Sequence, residues 1–158
     1  MHNSKIKKKI ITLIGPTACN KTSTAVHLIK KFPISIIGVD SVQIYKRFNI
    51  GSAKPPKEIL EKYKHHLVDS ADPENIFSVK DFYDQAYRIV IQAHSNNRIP
   101  LLVGGTMMYF NALFKGINDI PEGNEAIREE LQRELDNRGV DKLLSLIHIS
   151  EPTRLERI

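Results

Sequence analysis

Eight consecutive residues, Gly15, Pro16, Thr17, Ala18, Cys19, Asn20, Lys21 and Thr22, have the types and spacing to hold phosphate. They follow an apolar run at 10–14 and open a stretch of helical composition at 21–31. That is the context a G-x-x-x-x-G-K-[ST] phosphate loop requires. In such a loop the N–H groups of a tight turn and the helix N-terminus gather phosphate oxygens. Lys21 is placed to neutralise phosphate charge, and Thr22 to offer its hydroxyl to Mg²⁺. One position departs from the pattern, because Asn20 stands where the second Gly belongs. Asn is the non-Gly residue that best tolerates positive φ, so the loop is expected to form with some strain. On that argument Asn20→Gly should tighten diphosphate binding.

Two further chain segments end where a ligand is expected. Asp40 closes the run at 34–39, which puts it at the carboxyl edge of a sheet, where open α/β folds bind ligands. A carboxylate there can hold Mg²⁺ through water or act as a general base, and an isolated one can simply cap the next segment. Spacing alone leaves these open. Gly104, Gly105 and Thr106 end the run at 101–103, with two residues that permit close backbone approach and one hydroxyl. A Gly-Gly strand end is by itself ordinary turn geometry, and its weight comes from being a third loop at the same edge.

The elements that must position these residues follow from four short apolar runs, at 10–14, 34–39, 66–68 and 101–103. Continuous branched runs ended by Gly or Asp read as strands buried on both faces of a parallel sheet. Helical composition fills 21–31, and Val79, Phe82, Tyr83, Ala86, Val90 and Ala93 recur at helical spacing over 79–93. Alternating strand and helix predicts an α/β fold of the phosphate-loop NTPase type, a parallel sheet with flanking helices, over residues 1–120. Past Gly116 the character changes. Residues 125–144 predict one charged helix whose buried stripe is Ile127, Leu131, Leu135, Leu143 and Leu144, with 118–124 as its connector. This start of a helical insertion is assigned to 121–145, and the stretch 146–158 continues neither pattern.

Composition bounds the answer. At 158 residues, 41% hydrophobic and 26% charged, the chain is an ordinary folded protein, which excludes disordered, collagenous and disulfide-scaffold classes. Cys19 has no internal partner, so a reducing compartment is the default. No run approaches the ~18 apolar residues of a membrane span, and the run after Lys5 to Lys9 is too short for a signal peptide. A soluble, cytoplasmic protein without a membrane partner is expected. The charge is uneven: 13 Lys+Arg against 3 Asp+Glu through His66, then 10 against 15. A basic first half suits an anionic partner such as nucleic acid or a phosphorylated substrate. Lys54, Lys57, Lys62 and Lys64 either face such a partner or form a solvated helix face. His27, His65, His66 and His94 lack metal spacing, and the five Tyr residues read as core or rim rather than base-stacking platforms.

Three motifs taken together resemble the tRNA dimethylallyltransferase (tRNA isopentenyltransferase) family. They are GPTACNKT, DSVQIYKRFNIGSAKP at 40–55, and PLLVGGTMMYFNALFKG at 100–116, within a resemblance that runs over about 10–144. Phosphate-loop kinases share the first motif and lack the second. The resemblance implies transfer of a dimethylallyl group from dimethylallyl diphosphate to N6 of the adenine next to the anticodon of tRNA, assisted by Mg²⁺. The phosphate loop then holds a diphosphate leaving group in place of the ATP usual for such loops. By the same resemblance Asp40 is the general base and Thr106 lies by the reacting amine and diphosphate. Asp40, Ser41, Val42, Gln43, Thr106 and Arg128 would contact tRNA, and the enzyme is expected to act as a monomer. Members of the family run longer, so the chain is expected to be an N-terminal part of the enzyme. Its end, with the run IHISEPTR, reads as a non-native tail over 146–158. The competing readings are a small phosphate-loop kinase and an inactive fragment that binds diphosphate or tRNA.

Overall fold

The computed structural model describes residues 9–117 and 124–150, the last five of these by backbone alone. Two compact units part after Ile117. The first unit holds β1 (Ile11–Ile14), α1 (Lys21–Ile29), β2 (Ile34–Val39), α2 (Lys57–Lys62), β3 (His65–His66), α3 (Val79–Ser95), β4 (Ile99–Gly104) and α4 (Met107–Lys115). Its four strands form one parallel sheet in the order β1-β4-β2-β3. This is the α/β architecture that the alternating pattern predicts.

Packing explains which strand runs are buried. β2 lies between β4 and β3, and all six of its residues are buried. Ile34 and Ile36 face Ala25 of α1 and Leu101 of β4 on one side. Ile37 and Val39 face Phe82, Ala86 and Phe110 of α3 and α4 on the other. Phe82 and Tyr109 stack at 4.0 Å between centroids and 7° between planes, which closes that core. α3 begins at a capping box. Ser78 Oγ accepts from the Asp81 N–H at 3.1 Å, and the Asp81 carboxylate accepts from the Ser78 N–H at 2.9 Å. The Ser78 hydroxyl, which donates to Asp81 Oδ2 at 2.6 Å, and then the Ser78 N–H hold the Asp81 carboxyl below the usual carboxylate range.

Five expectations need correction. β1 is an edge strand rather than a strand buried on both faces: Ile11 and Ile14 are exposed because β4 is its one partner in the described sheet. The third strand is His65–His66, not 66–68, since Leu67 takes φ 60° and Asp69 φ 51°, which turns the chain out of the ladder. The second unit is two helices, α5 (Glu125–Arg138) and α6 (Val140–Ser150), broken at Gly139 with φ 77°. The stripe expected to be buried there is open: Ile127, Leu131 and Leu144 are exposed, and Leu135 and Leu143 half-buried. The backbone of residues 146–150 continues α6, whereas that stretch read as continuing neither pattern. The rest of the expected tail, 151–158, and the boundary expected at 120–121 lie outside the described residues. Among the described residues no helix is long and apolar enough to cross a membrane.

Candidate functional site

The carboxyl ends of β1, β2 and β4 surround a cavity of about 570 Å³. Thr17, Ala18, Cys19, Asn20, Lys21 and Thr22 line it from the first loop, Asp40 and Gln43 from the second, and Gly104 from the third. The three loops read from the sequence therefore meet at one site, the crevice where a parallel sheet is expected to bind ligand.

The first loop owes its shape to two non-Gly residues in the left-handed region, Ala18 at φ 65° and Asn20 at φ 60°. Asn20 is also the N-cap of α1, and its side chain makes no capping hydrogen bond. The first-turn N–H groups of a helix lack intrahelical acceptors, so an uncapped start leaves them available to an anion. The Asn20 carbonyl accepts from Ser23 Oγ at 2.9 Å and Thr24 Oγ1 at 3.1 Å. A Cβ on Gly15 would stand 2.7 Å from Cys19 Sγ, so that exposed side chain would have to turn aside to admit one. Lys21 Nζ donates to the carbonyls of Gly15 (2.8 Å) and Pro16 (2.5 Å), so its ammonium is folded over the loop. Gly15 and Pro16 thus act on the site through Lys21, since neither lines the cavity.

The second loop is held from several directions. Asp40 Oδ1 accepts from the N–H groups of Val42 (2.9 Å) and Gln43 (3.0 Å), a local turn that leaves Oδ2 uncommitted. Thr106 Oγ1 accepts from the Ser41 N–H at 3.0 Å, tying the end of β4 to the end of β2. Ser41, Val42 and Thr106 sit beside the cavity rather than in its wall. Gln43 Nε2 donates to the carbonyls of Ser52 and Ala53, both at 3.1 Å. At Gly104 the steric demand comes from protein, not ligand: a Cβ would stand 1.9 Å from the Val39 carbonyl oxygen. Arg128 lies in α5, in the second unit, and is exposed there.

Two features were not legible in the motifs. Lys54 is neither a partner-facing nor a solvated lysine. Its side chain is 3% exposed and its Nζ donates to Asp69 Oδ1 (2.6 Å), the Tyr45 carbonyl (2.8 Å) and Asn49 Oδ1 (3.2 Å). It clamps the whole 43–54 segment, and nothing in the residue types or spacing there, which include Lys46 and Arg47, sets it apart. His27, Lys30, Pro56 and Ile59 extend the cavity away from the loops, contributed by α1 and the start of α2. Burial of the Tyr109 hydroxyl, then the fields of Tyr45, Asp40 and Asp81, push its pKa up, so it stays a neutral core group.

Comparison with known proteins gives a consistent picture. A family model described as IPP transferase matches residues 43–158. A tRNA dimethylallyltransferase of Dichelobacter nodosus is 41% identical over 149 residues, covering 94% of this chain and 47% of the relative. A full-length tRNA isopentenylpyrophosphate transferase from Bacillus halodurans superimposes with a TM-score of 0.68 at 37% identity, over 96% of this chain and 50% of that one. A eukaryotic dimethylallyltransferase, crystallised acting on tRNA, superimposes with a TM-score of 0.65 at 30% identity, over 73% of this chain and 28% of that one. The chain spans about half the length of the curated relatives it matches.

Proposed function

The chain belongs to the IPP transferase family, and from that premise we propose that it serves transfer of a dimethylallyl group from dimethylallyl diphosphate to N6 of the adenine next to the anticodon of tRNA. The observation that carries this reading is the single cavity in which the phosphate loop faces Asp40, whose Oδ2 has no protein partner among the described residues.

The chemistry assigns each group a task. The exocyclic amine is a poor nucleophile, because its lone pair is delocalised into the ring. Asp40 Oδ2 takes the N6 proton as the new N–C bond forms, and the C–O bond to diphosphate breaks with its electron pair leaving on oxygen. Lys21 and the N–H groups that open α1 meet the charge that develops on the diphosphate. Thr106 holds Ser41, and through it the turn that aims Asp40. Ser41, Val42 and Gln43 form the neighbouring surface for the flipped-out base and its strand, and Arg128 adds a cation for tRNA from the second unit. Mg²⁺ suits the site, since Thr22 brings a hard hydroxyl oxygen to the cavity that the phosphate loop lines. Among the described residues no cluster of three or more His, Cys, Asp or Glu competes for it. When bound, the ion adds positive charge beside the leaving group. The same reading takes the enzyme as monomeric and cytoplasmic, in keeping with its one free cysteine, Cys19.

The test is incubation of the chain with labelled dimethylallyl diphosphate and tRNA, alongside Asp40→Ala. Transfer by the parent and a loss on the order of 10²–10⁴-fold in the variant is expected, with tRNA affinity retained. Near-normal turnover in Asp40→Ala would remove the base assignment. ATP consumption without transfer would restore the kinase reading.

A further inference from the structure

The opposite end of the sheet carries a second cavity, of about 390 Å³, that the proposed reaction does not use. It opens at the amino ends of β2 and β4. Ser35 forms part of its floor, and Lys62, Lys64, His66, Arg98 and Gln92 part of its wall. No Asp or Glu lines it. Ser35 and Asp40 are five residues apart on one extended strand, so about 16 Å separates this cavity from the catalytic edge.

The cations here are not spent on carboxylates. Among the described residues Lys62, Lys64 and Arg98 take part in no ion pair. Arg98 is fixed in place by protein groups: Nε donates to Ser35 Oγ at 3.0 Å and the guanidinium donates to the Ile34 carbonyl. Lys62 lies 5.7 Å from the Tyr63 ring centroid, which keeps it beside the cavity mouth. The dull explanation is that these cations offset the C-terminal ends of α1 and α3, which also reach this edge. Two helix ends supply about −0.5 each, against three full positive charges, so about +2 is left over. The carbonyls that end α3 are moreover already taken, by the N–H groups of Asn96, Asn97 and Arg98. The same surplus is felt by His66. Burial, then Lys64 and Arg98, lower its pKa, so it enters as a neutral ring with a donor and an acceptor.

We propose that this cavity is a second anion site, which takes a small free phosphate or diphosphate between Lys62, Lys64 and Arg98, with the His66 ring and Ser35 beside it. Its volume leaves room for such an anion with water around it. The ligand class follows from three clustered cations with hydrogen-bonding neighbours and no counter-charge.

The site is read through His66. In a Lys21→Ala background, which weakens the phosphate loop, the ring resonances of His66 are followed by NMR during separate titrations with inorganic phosphate, pyrophosphate and an RNA stem-loop. A saturable shift with phosphate or pyrophosphate is expected, together with a rise in the His66 pKa. Lys62→Gln combined with Lys64→Gln should weaken that binding about tenfold. Arg98 is left intact because it anchors β2. Unmoved resonances with both small anions, or binding indifferent to the lysine variants, would overturn the site. Saturation by the RNA alone would assign the surface to nucleic acid instead and overturn the small-anion reading. None of these outcomes bears on Asp40 or on transfer, so the two proposals fail independently.

Discussion

β1 and β2 flank β4 on opposite sides, and each delivers one half of the candidate site. Their sequences, ITLI and ISIIGV, are equally apolar. Even their registers match, since Ile11 and Ile36 both pair with Leu101. Yet Ile36 is fully buried and Ile11 is 42% exposed. The loops they carry differ in the same direction. Each carries two non-Gly residues at positive φ, Ala18 and Asn20 after β1 and Arg47 and Ala53 after β2, but the loop after β1 is held by hydrogen bonds of Lys21 to the loop's own carbonyls. The segment after β2 is bound to β4 through Thr106, to itself through Gln43, and to the β3 exit through Lys54 and Asp69. The Asp40 side of the candidate site is thus tied to several elements, and the phosphate-loop side mainly to itself. On the proposed reading this division has a reason: a diphosphate supplies its own charge to organise a loop, whereas a general base must be aimed before its substrate arrives.

The strongest way to break this comparison is to truncate the two matched isoleucines. Ile36→Ala should lower unfolding free energy by about 3 kcal/mol, because the surrounding side chains cannot collapse into the space. Ile11→Ala, on the open strand, should cost about 1 kcal/mol or less. Urea denaturation of both variants measures the difference, and equal losses would mean that β1 is as well covered as β2.

A smaller effect is expected at the clamp. Lys54→Met keeps the length of the side chain and removes its charge, leaving Asp69 without its ion pair. Asp69 is 39% exposed and can rehydrate, so the loss should be about 2 kcal/mol, below the full range for a buried pair. Hydrogen exchange localises it: the amides of Asp69, Ser70 and Ala71, bonded to the carbonyls of Gln43 and Ile44, should exchange faster while those of α3 do not. Uniform loss of protection would show that Lys54 supports the fold at large rather than this segment.

What was legible in the sequence divides along the same line. The meeting of the phosphate-loop residues with Asp40 at one sheet edge was legible because each directly follows an apolar run that reads as a parallel strand, and the periodicity of 79–93 marked α3 for the same local reason. The exposure of β1 was not, because an apolar run reports what a strand can bury and not which neighbours are present. Lys54 was hidden because its partner lies 15 residues on, across a turn that depends on Leu67 and Asp69 taking positive φ. The break between α5 and α6 had its signal in Gly139, which the continuing charged pattern masked.

Asn20 gives the finest test. The residue type alone implies strain that weakens diphosphate binding and that Asn20→Gly relieves. In the structure Asn20 stands at φ 60°, ψ 25°. A loop that keeps this conformation both free and bound charges the strain to folding, and it then cancels from the affinity. Asn20→Gly should therefore alter the Kd for pyrophosphate by less than about twofold, or ~0.4 kcal/mol. Its effect on stability should be equally slight, since relief of αL strain is offset by the greater freedom of Gly in the unfolded chain. Asn20→Ala keeps the Cβ without the tolerance of Asn for this region, and should cost about 1 kcal/mol. Calorimetric titration and denaturation of the two variants separate these quantities. Tightening of more than about fivefold in Asn20→Gly would show that the free loop spends most of its time in another conformation, and that the phosphate side is looser still than its contacts suggest.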